Sequence, residues 1–164
     1  ETLAEDSNEE AALLRALFGL CERAGARLRR LEARTGRLRV TLRHSDDVLA
    51  RREERLAPPA AADLVLFARA RAICDRARAR RVRVRWIELH CLEVAPGPRQ
   101  LVLFGPEAFA GDLSTRAGAA ETLADAIDRI RGRFGDRAIV CGRMFAGRSG
   151  PIAADSGTGA EKTA

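Results

Sequence analysis

The chain has few of the residues on which most enzyme active sites depend. It contains two histidines, His44 and His90, and neither lies in a recognisable motif. No glycine-rich phosphate loop, nucleophile elbow or HExxH pattern occurs. Asp46 and Asp47 are adjacent, but neighbouring residues of a strand point to opposite faces, so they predict a turn and not a metal-binding pair. The sequence predicts that these 164 residues catalyse no reaction alone.

Long apolar runs are also missing. No stretch of 18 apolar residues occurs, and the chain has no secretory signal pattern. The first residue is Glu1, not Met, so we expect the chain to be part of a longer protein. These features predict a cytoplasmic location and no contact with a membrane.

The four cysteines do not have the spacing of a metal site. They lie at positions 21, 74, 91 and 141, and three of them fall within apolar patterns. Reduced thiols in the core of a cytosolic protein are favoured over disulfides. We expect neither a bound metal nor another cofactor in this chain.

Lysine is nearly absent, because 28 of the 29 basic residues are arginine and Lys162 is the single lysine. GC-rich codons account for such a bias, so the placement of the arginines is more informative than their number. Residues 15–85 hold 20 arginines and 8 acidic residues, whereas the rest of the chain has 9 basic and 15 acidic residues. A basic body between acidic ends favours a partner that is a polyanion, although a solvated arginine surface is the plainer alternative.

The hydrophobic periodicity predicts a β-α-β-β-α-β order followed by an added helix and strand. Val40 lies in the clearest strand, where apolar and polar residues alternate strictly and the arginines share one face. A slip in the alternation after Val84 predicts a bulge at Arg85-Trp86. The predicted elements are strands near 1–5, 37–44, 48–56, 82–92 and 138–141, and helices near 7–32, 61–80 and 119–134.

This order predicts an α+β sandwich, in which two helices cover one face of a four-stranded, mostly antiparallel sheet. The opposite sheet face stays open, and Arg37, Arg39 and Arg43 emerge on it. Arginine forks suit phosphate oxygens, so this face is a candidate surface for nucleic acid. Contact with about four phosphates would give a log–log salt slope of roughly −3.6.

A short apolar segment follows the core strand. Pro96-Gly97-Pro98 separates the strand from residues 100–104, and glycine, serine and alanine dominate after residue 146. An extended peptide with an amide and several apolar side chains binds a partner through a few anchors. The alternative is that this peptide packs within its own domain. We expect a domain at 1–95, a linker at 96–118, a helix–strand extension at 119–145 and a disordered tail at 146–164.

These segments together resemble the little-finger domain of Y-family translesion DNA polymerases, of the bacterial DNA polymerase IV type. The resemblance rests on ETLAED at 1–6, VTLRHSD at 40–46, REERL at 52–56, the strand at 82–92 and QLVLF at 100–104. The stretch IDRIRGRFG at 127–135 resembles an extension that many of these polymerases carry.

The resemblance implies a domain that holds the backbone of primer–template DNA beside the polymerase active site and tethers the enzyme to the replication sliding clamp. The palm and fingers, whose carboxylates hold Mg, are not among these residues, so a parent polymerase would supply the metal. Expected DNA contacts are Arg37, Arg39, Arg43, Arg52, Arg83 and Arg85. The expected clamp-binding residues are Gln100, Leu101, Val102, Leu103 and Phe104.

Three positions depart from the family pattern. Thr41 stands where the family often has lysine, Glu54 where a second basic residue is usual, and Trp86 where glycine is common. One alternative function is a non-catalytic recruiting subunit related to these polymerases, and the sequence upstream of Glu1 would distinguish the two. An RNA-binding α+β domain is disfavoured, because aromatic residues are only 4% of the chain and the strands lack a stacking platform.

Overall fold

A four-stranded antiparallel sheet forms the centre of the protein. The computed structural model describes residues 2–7, 9–80, 82–97 and 112–142. The elements in chain order are β1 (Thr2–Ser7), α1 (Glu10–Arg30), β2 (Ala33–His44), β3 (Leu49–Ala60), α2 (Asp63–Ala77), β4 (Val84–Pro96) and α3 (Asp112–Phe134). The strand order is β1-β4-β2-β3. The predicted α+β fold is therefore confirmed.

The register of the sheet fixes which side chains share a face. Arg43 on β2 pairs with Trp86 on β4, and His44 pairs with Val84. Arg85 is consequently an extra residue on β4, which confirms the predicted bulge at this point. The bulge shifts the alternation of β4, so Val84 and Ile87 both lie in the core.

The core lies between α1, α2 and one face of the sheet. Leu38, Val40 and Leu42 alternate along β2 and are fully buried, as the sequence predicts. Leu13, Leu17 and Cys21 recur along α1 at the spacing of one helix face and are buried against them. Phe18 of α1 and Phe67 of α2 meet edge to face, with ring centroids 5.1 Å apart. Each fully buried leucine contributes about 2 kcal/mol, so this layer accounts for much of the stability.

The third strand is longer than its sequence indicates. The sequence predicts a strand end near residue 56, but β3 continues through Pro58 and Pro59 to Ala60. Proline removes a backbone donor, and β3 is an edge strand whose outer side needs no partner. The prediction of a strand end at 56 was therefore wrong for a physical reason that depends on strand order.

The C-terminal extension also differs from the prediction. Helix α3 begins at Asp112, inside the predicted linker, and ends at Phe134. Gly135, with φ of 92°, follows the helix, whose end agrees with the predicted end near residue 134. Ala138–Cys141 does not form the predicted strand, because its backbone is irregular and Ala138 N donates to the oxygen of Gly135. The peptide at 100–104 and the tail at 146–164 lie outside the described residues.

All four cysteines are free thiols, as predicted. Burial raises the pKa of Cys74 to about 11, which keeps this thiol protonated at neutral pH. Among the residues that the structure describes, no helix combines the length and apolar character that a membrane span requires.

Candidate nucleic-acid interface

The face of the sheet opposite α1 and α2 carries most of the candidate residues. Residues that pair directly across antiparallel strands point to the same side, and the core side of β2 is taken by Leu38, Val40 and Leu42. We call the other side the open face. Its members are Arg37, Arg39, Thr41 and Arg43 of β2, Leu49, Arg51, Glu53 and Arg55 of β3, and Trp86, Glu88, His90 and Leu92 of β4.

Glu53 occupies the middle of this arginine cluster. Its Oε1 accepts a hydrogen bond from Nη1 of Arg37 at 3.1 Å, and its Oε2 accepts one from Nε of Arg39 at 3.0 Å. These bonds, led by that from Arg39, hold the pKa of the Glu53 carboxyl below its usual value. Glu53 thereby holds both guanidinium groups at the surface of the sheet.

Acidic residues also hold Arg43 and add a second contact to Arg37. Arg37 donates to Oε1 of Glu93 at 2.7 Å, and this contact is the largest cause of its raised pKa. Arg43 donates to Oδ1 of Asp47 at 3.0 Å, and Arg85 approaches the same oxygen at 3.5 Å. The open face is therefore a lattice of arginines spaced by carboxylates at which a phosphate could compete.

Two of the predicted DNA contacts lie apart from this lattice. Arg52 pairs across the sheet with Val40, whose side chain is in the core, so Arg52 is on the helix side of the edge strand. Its Nη1 donates to the carbonyl oxygen of Arg51 at 2.9 Å. Arg83 precedes β4, where its carbonyl oxygen accepts from N of Ser45 at 2.9 Å. The structure thus brings Arg37, Arg39 and Arg43 together, with Arg85 at their edge, and does not add Arg52.

Two arginines of the open face were missed by the sequence analysis. Arg51 pairs with Thr41 and Arg55 pairs with Arg37, so both project on the same side as Glu53. The signal was present in the hairpin length, because Arg43 pairs with Leu49 and this register places the odd-numbered residues of β3 on the open face.

Glu54 lies on the opposite side of the sheet from the open face. It points to the helix side, where Oε2 accepts from Nη2 of Arg76 at 2.6 Å and Oε1 lies 3.5 Å from Nη1 of Arg69. Both Glu53 and Glu54 would repel a phosphate placed beside them. Only Glu53 lies where that repulsion acts on the open face.

The open face also carries the single tryptophan of the chain. Trp86 is half-buried and pairs directly with Arg43. Further along β4, Nε2 of His90 lies 2.6 Å from Oε2 of Glu88. An indole at this position would report on a ligand that binds the arginines, because its emission depends on its surroundings.

The two aspartates of the hairpin turn do not form a metal site. Oδ2 of Asp46 accepts from Arg80 at 2.7 Å, whereas Asp47 contacts Arg43 and Arg85. The carboxylates serve different arginines, as the predicted turn implied, so they do not fit the paired ligands of a divalent cation. Throughout the described ranges, no group of three or more potential ligands is placed to hold a metal ion.

Two comparisons with known proteins bear on this surface. A family model described as the C-terminal domain of the impB/mucB/samB family matches residues 1–103. This range contains β1 to β4 and therefore the whole open face, and it ends before α3. A search of curated proteins gave no match.

Proposed function

The chain belongs to the impB/mucB/samB family and is the little-finger domain of a Y-family polymerase, and from this premise we propose that it binds DNA without sequence specificity and tethers a translesion polymerase to the sliding clamp. The parent protein would be a DNA-directed DNA polymerase. Its palm would hold the Mg ions of nucleotidyl transfer, and this domain would grip the duplex beside them. Such a protein would act in the bacterial cytoplasm, at the nucleoid.

The observation that carries the DNA-binding proposal is the arginine lattice of the open face. Arg37, Arg39 and Arg43 repeat along β2, and Arg51 and Arg55 repeat beside them on β3. Strand geometry spaces alternate residues by about 7 Å, which is close to the distance between successive phosphates along a DNA strand. Two adjacent arginine rows therefore suit a sugar–phosphate backbone that runs along β2 and β3.

The type of contact favours backbone binding over base recognition. Guanidinium groups bind phosphate oxygens in pairs and position a protein without reading sequence. The β2 arginines of the lattice are already oriented by carboxylates, such as Glu53 for Arg37 and Arg39. A phosphate that replaces Glu53 would bind guanidinium groups that have already lost part of their conformational entropy. Displacing the carboxylate reduces the net free energy gained on binding.

The clamp-tethering part of the proposal comes from the position of Gln100–Phe104 in the chain. The family match ends at residue 103, within this peptide. β4 ends at Pro96, so only residues 97–99 separate the peptide from the end of this strand. Leu101, Leu103 and Phe104 would fill apolar pockets on the clamp, and the amide of Gln100 would supply hydrogen bonds.

A tryptophan titration tests the DNA-binding proposal. Duplex DNA of random sequence is added at several salt concentrations, and the emission of Trp86 is followed. We expect saturable binding whose log–log salt slope is near −3.6, corresponding to about four phosphate contacts. An affinity that does not change with salt would contradict the proposal.

A further inference from the structure

Helix α3 contacts the rest of the protein through charged side chains. Asp128 receives two hydrogen bonds from Arg29 of α1, at 2.7 and 3.0 Å. Arg131 donates to Oε1 of Glu22 at 2.9 Å, and Glu121 pairs with Arg34. Together with the buried Ala124, these α3 residues recur at steps of three and four, so they form one face of the helix. This is the docked face.

A second face of α3 is apolar and points to solvent. Leu123 is 50% exposed, Ile130 38% and Phe134 67%, and the partly buried Ile127 lies between them. Their steps of four, three and four residues place them in one row, which we call the α3 stripe. Helices on globular domains usually turn such a row inward, and here the charged row is turned inward instead.

Arginines flank the α3 stripe on the side away from the docked face. Arg129 and Arg133 are both exposed and one helical turn apart. Within the described part of the chain, Nε of Arg129 donates to the main-chain oxygen of Asp125, and the guanidinium of Arg133 lies 5.3 Å from the Phe134 ring centroid. Arg131 contrasts with both, because it is on the docked side and is paired with Glu22.

We propose that the α3 stripe, with Arg129 and Arg133, binds an acidic amphipathic helix of another protein. From Leu123 to Phe134 the stripe extends about 16 Å, which matches three turns of a partner helix. The apolar side chains would pack against the apolar face of that helix, and the two guanidinium groups would pair with carboxylates along its edge. The surface lies beyond residues 1–103, so it is additional to the family domain and separate from the open face.

The charges disfavour a second copy of this chain as the occupant. In an antiparallel pair of identical helices, equivalent flanks face one another, so Arg129 and Arg133 would meet the same arginines of the other copy. Four apolar side chains also provide much less than the roughly 800 Å² per partner of a standard stable interface. A short helix of opposite charge avoids the repulsion, and the small apolar area fits a transient complex.

The test uses two labelled synthetic peptides of about 18 residues with the same leucine pattern. One carries glutamates along its flank and the other carries lysines. Binding to the complete chain is measured by fluorescence anisotropy. We expect the glutamate peptide to bind at least about tenfold more tightly than the lysine peptide, with a difference that shrinks as salt rises.

Variants then assign the binding to this surface. Ile130→Gln with Phe134→Gln should abolish binding of the glutamate peptide, and Arg129→Glu with Arg133→Glu should reverse the preference between the peptides. Val48→Gln changes an exposed apolar residue elsewhere and should have no effect. All the changed side chains are on the surface, so thermal unfolding should confirm that each variant is folded.

Three results would overturn the proposal. They are equal affinity for the two peptides, binding that survives Ile130→Gln with Phe134→Gln, and a dimer in sedimentation equilibrium that the same variant dissociates. The last would assign the stripe to a second copy of the chain. Arg37→Ala with Arg39→Ala leaves α3 unchanged, so a failure of DNA binding is distinguishable from a failure here.

Discussion

Glu53 on β3 lies directly opposite Arg39 on β2, and its Oε2 accepts a hydrogen bond from Nε of Arg39 over 3.0 Å. The carboxylate therefore occupies a position that a DNA phosphate would take. Glu53→Gln removes the negative charge and keeps a similar shape, so it should release Arg39 for phosphate, whereas Glu93 still holds Arg37. We expect duplex affinity to rise about fivefold at low salt and the salt slope to become steeper by up to about one. The Trp86 titration measures both quantities.

The matched control is Glu54→Gln on the neighbouring residue of the same strand. Glu54 faces α2 and pairs with Arg76, so its loss does not change the charge of the open face to the same extent. DNA affinity should change less than twofold at moderate salt, where charges on opposite sides of the sheet are screened. Equal gains from both variants would mean that net charge alone, and not the position of Glu53, sets the affinity.

The arginines themselves are tested by a double substitution. Arg37→Ala with Arg39→Ala removes two adjacent guanidinium groups, and the magnitude of the salt slope should fall by about 1.8 if each contacts one phosphate. Arg52→Ala should leave the slope nearly unchanged, because Arg52 lies on the helix side of β3. A loss after Arg52→Ala as large as that of the double variant would show that DNA binds the strand edge instead of the open face.

The contrast between Arg39 and Arg52 shows how far sequence reasoning reaches. Strict alternation along β2 identifies both its faces, because each arginine has a leucine or valine as its neighbour. In β3 the residues Arg51, Arg52, Glu53 and Glu54 are all charged, so no hydrophobic pattern identifies the faces. Only the register of the hairpin decides them, and it depends on the length of the turn.

Helix α3 shows a second limit of the sequence. Its apolar row of Leu123, Ile127, Ile130 and Phe134 predicts the existence of the helix correctly, as does the stop at Gly135. Periodicity does not reveal which row faces the domain. That depends on carboxylates of α3 meeting Arg29 and Arg34, and contacts so distant in sequence leave no local signal.

The proposed clamp-binding peptide, residues 100–104, is tested separately from DNA binding. Leu103→Ala with Phe104→Ala removes two apolar anchors, and we expect the protein to lose binding to purified sliding clamp in a pull-down. The melting temperature should remain that of the unchanged chain, because the anchors serve the partner and not the core. Val102→Ala is the control and should retain most of the binding. A marked loss of thermal stability in the double variant would place these side chains within the domain itself.

Gly25 makes a close helix contact that a single methyl group would disrupt. A Cβ at this position would lie 2.0 Å from Oδ1 of Asp63 and 2.9 Å from the main-chain oxygen of Ala61. Asp63 is held by Arg29 at 2.6 Å, and burial raises the pKa of its carboxyl even though the guanidinium opposes that shift. We expect Gly25→Ala to lower the free energy of unfolding by about 1–3 kcal/mol, measured by urea denaturation.

The same substitution in α3 provides the control. A Cβ on Gly132 would meet no atom within 4 Å, so Gly132→Ala should stabilise the helix by about 0.5–1 kcal/mol. Opposite signs for the two variants would confirm that Gly25 is required by packing. If both stabilise the protein, α1 and α2 are not as closely packed as their geometry indicates.

Asp46 makes the hairpin turn sensitive to acid. A hydrogen bond from Arg80 is the largest cause of the lowered pKa of this carboxyl, with Nη2 2.7 Å from Oδ2. Because the pKa is lower in the folded protein, the ionised carboxylate stabilises the fold above the unfolded value of about 3.9. That contribution disappears as pH falls through the lowered folded pKa. Asp46→Asn should therefore reduce stability at pH 7 and leave it unchanged in strong acid, so that the two denaturation curves converge as pH falls.

Asp75→Asn, on the exposed side of α2, controls for general charge effects. A constant difference between the Asp46 variant and the unchanged chain at every pH would mean that Asp46 acts through turn geometry and not through its charge.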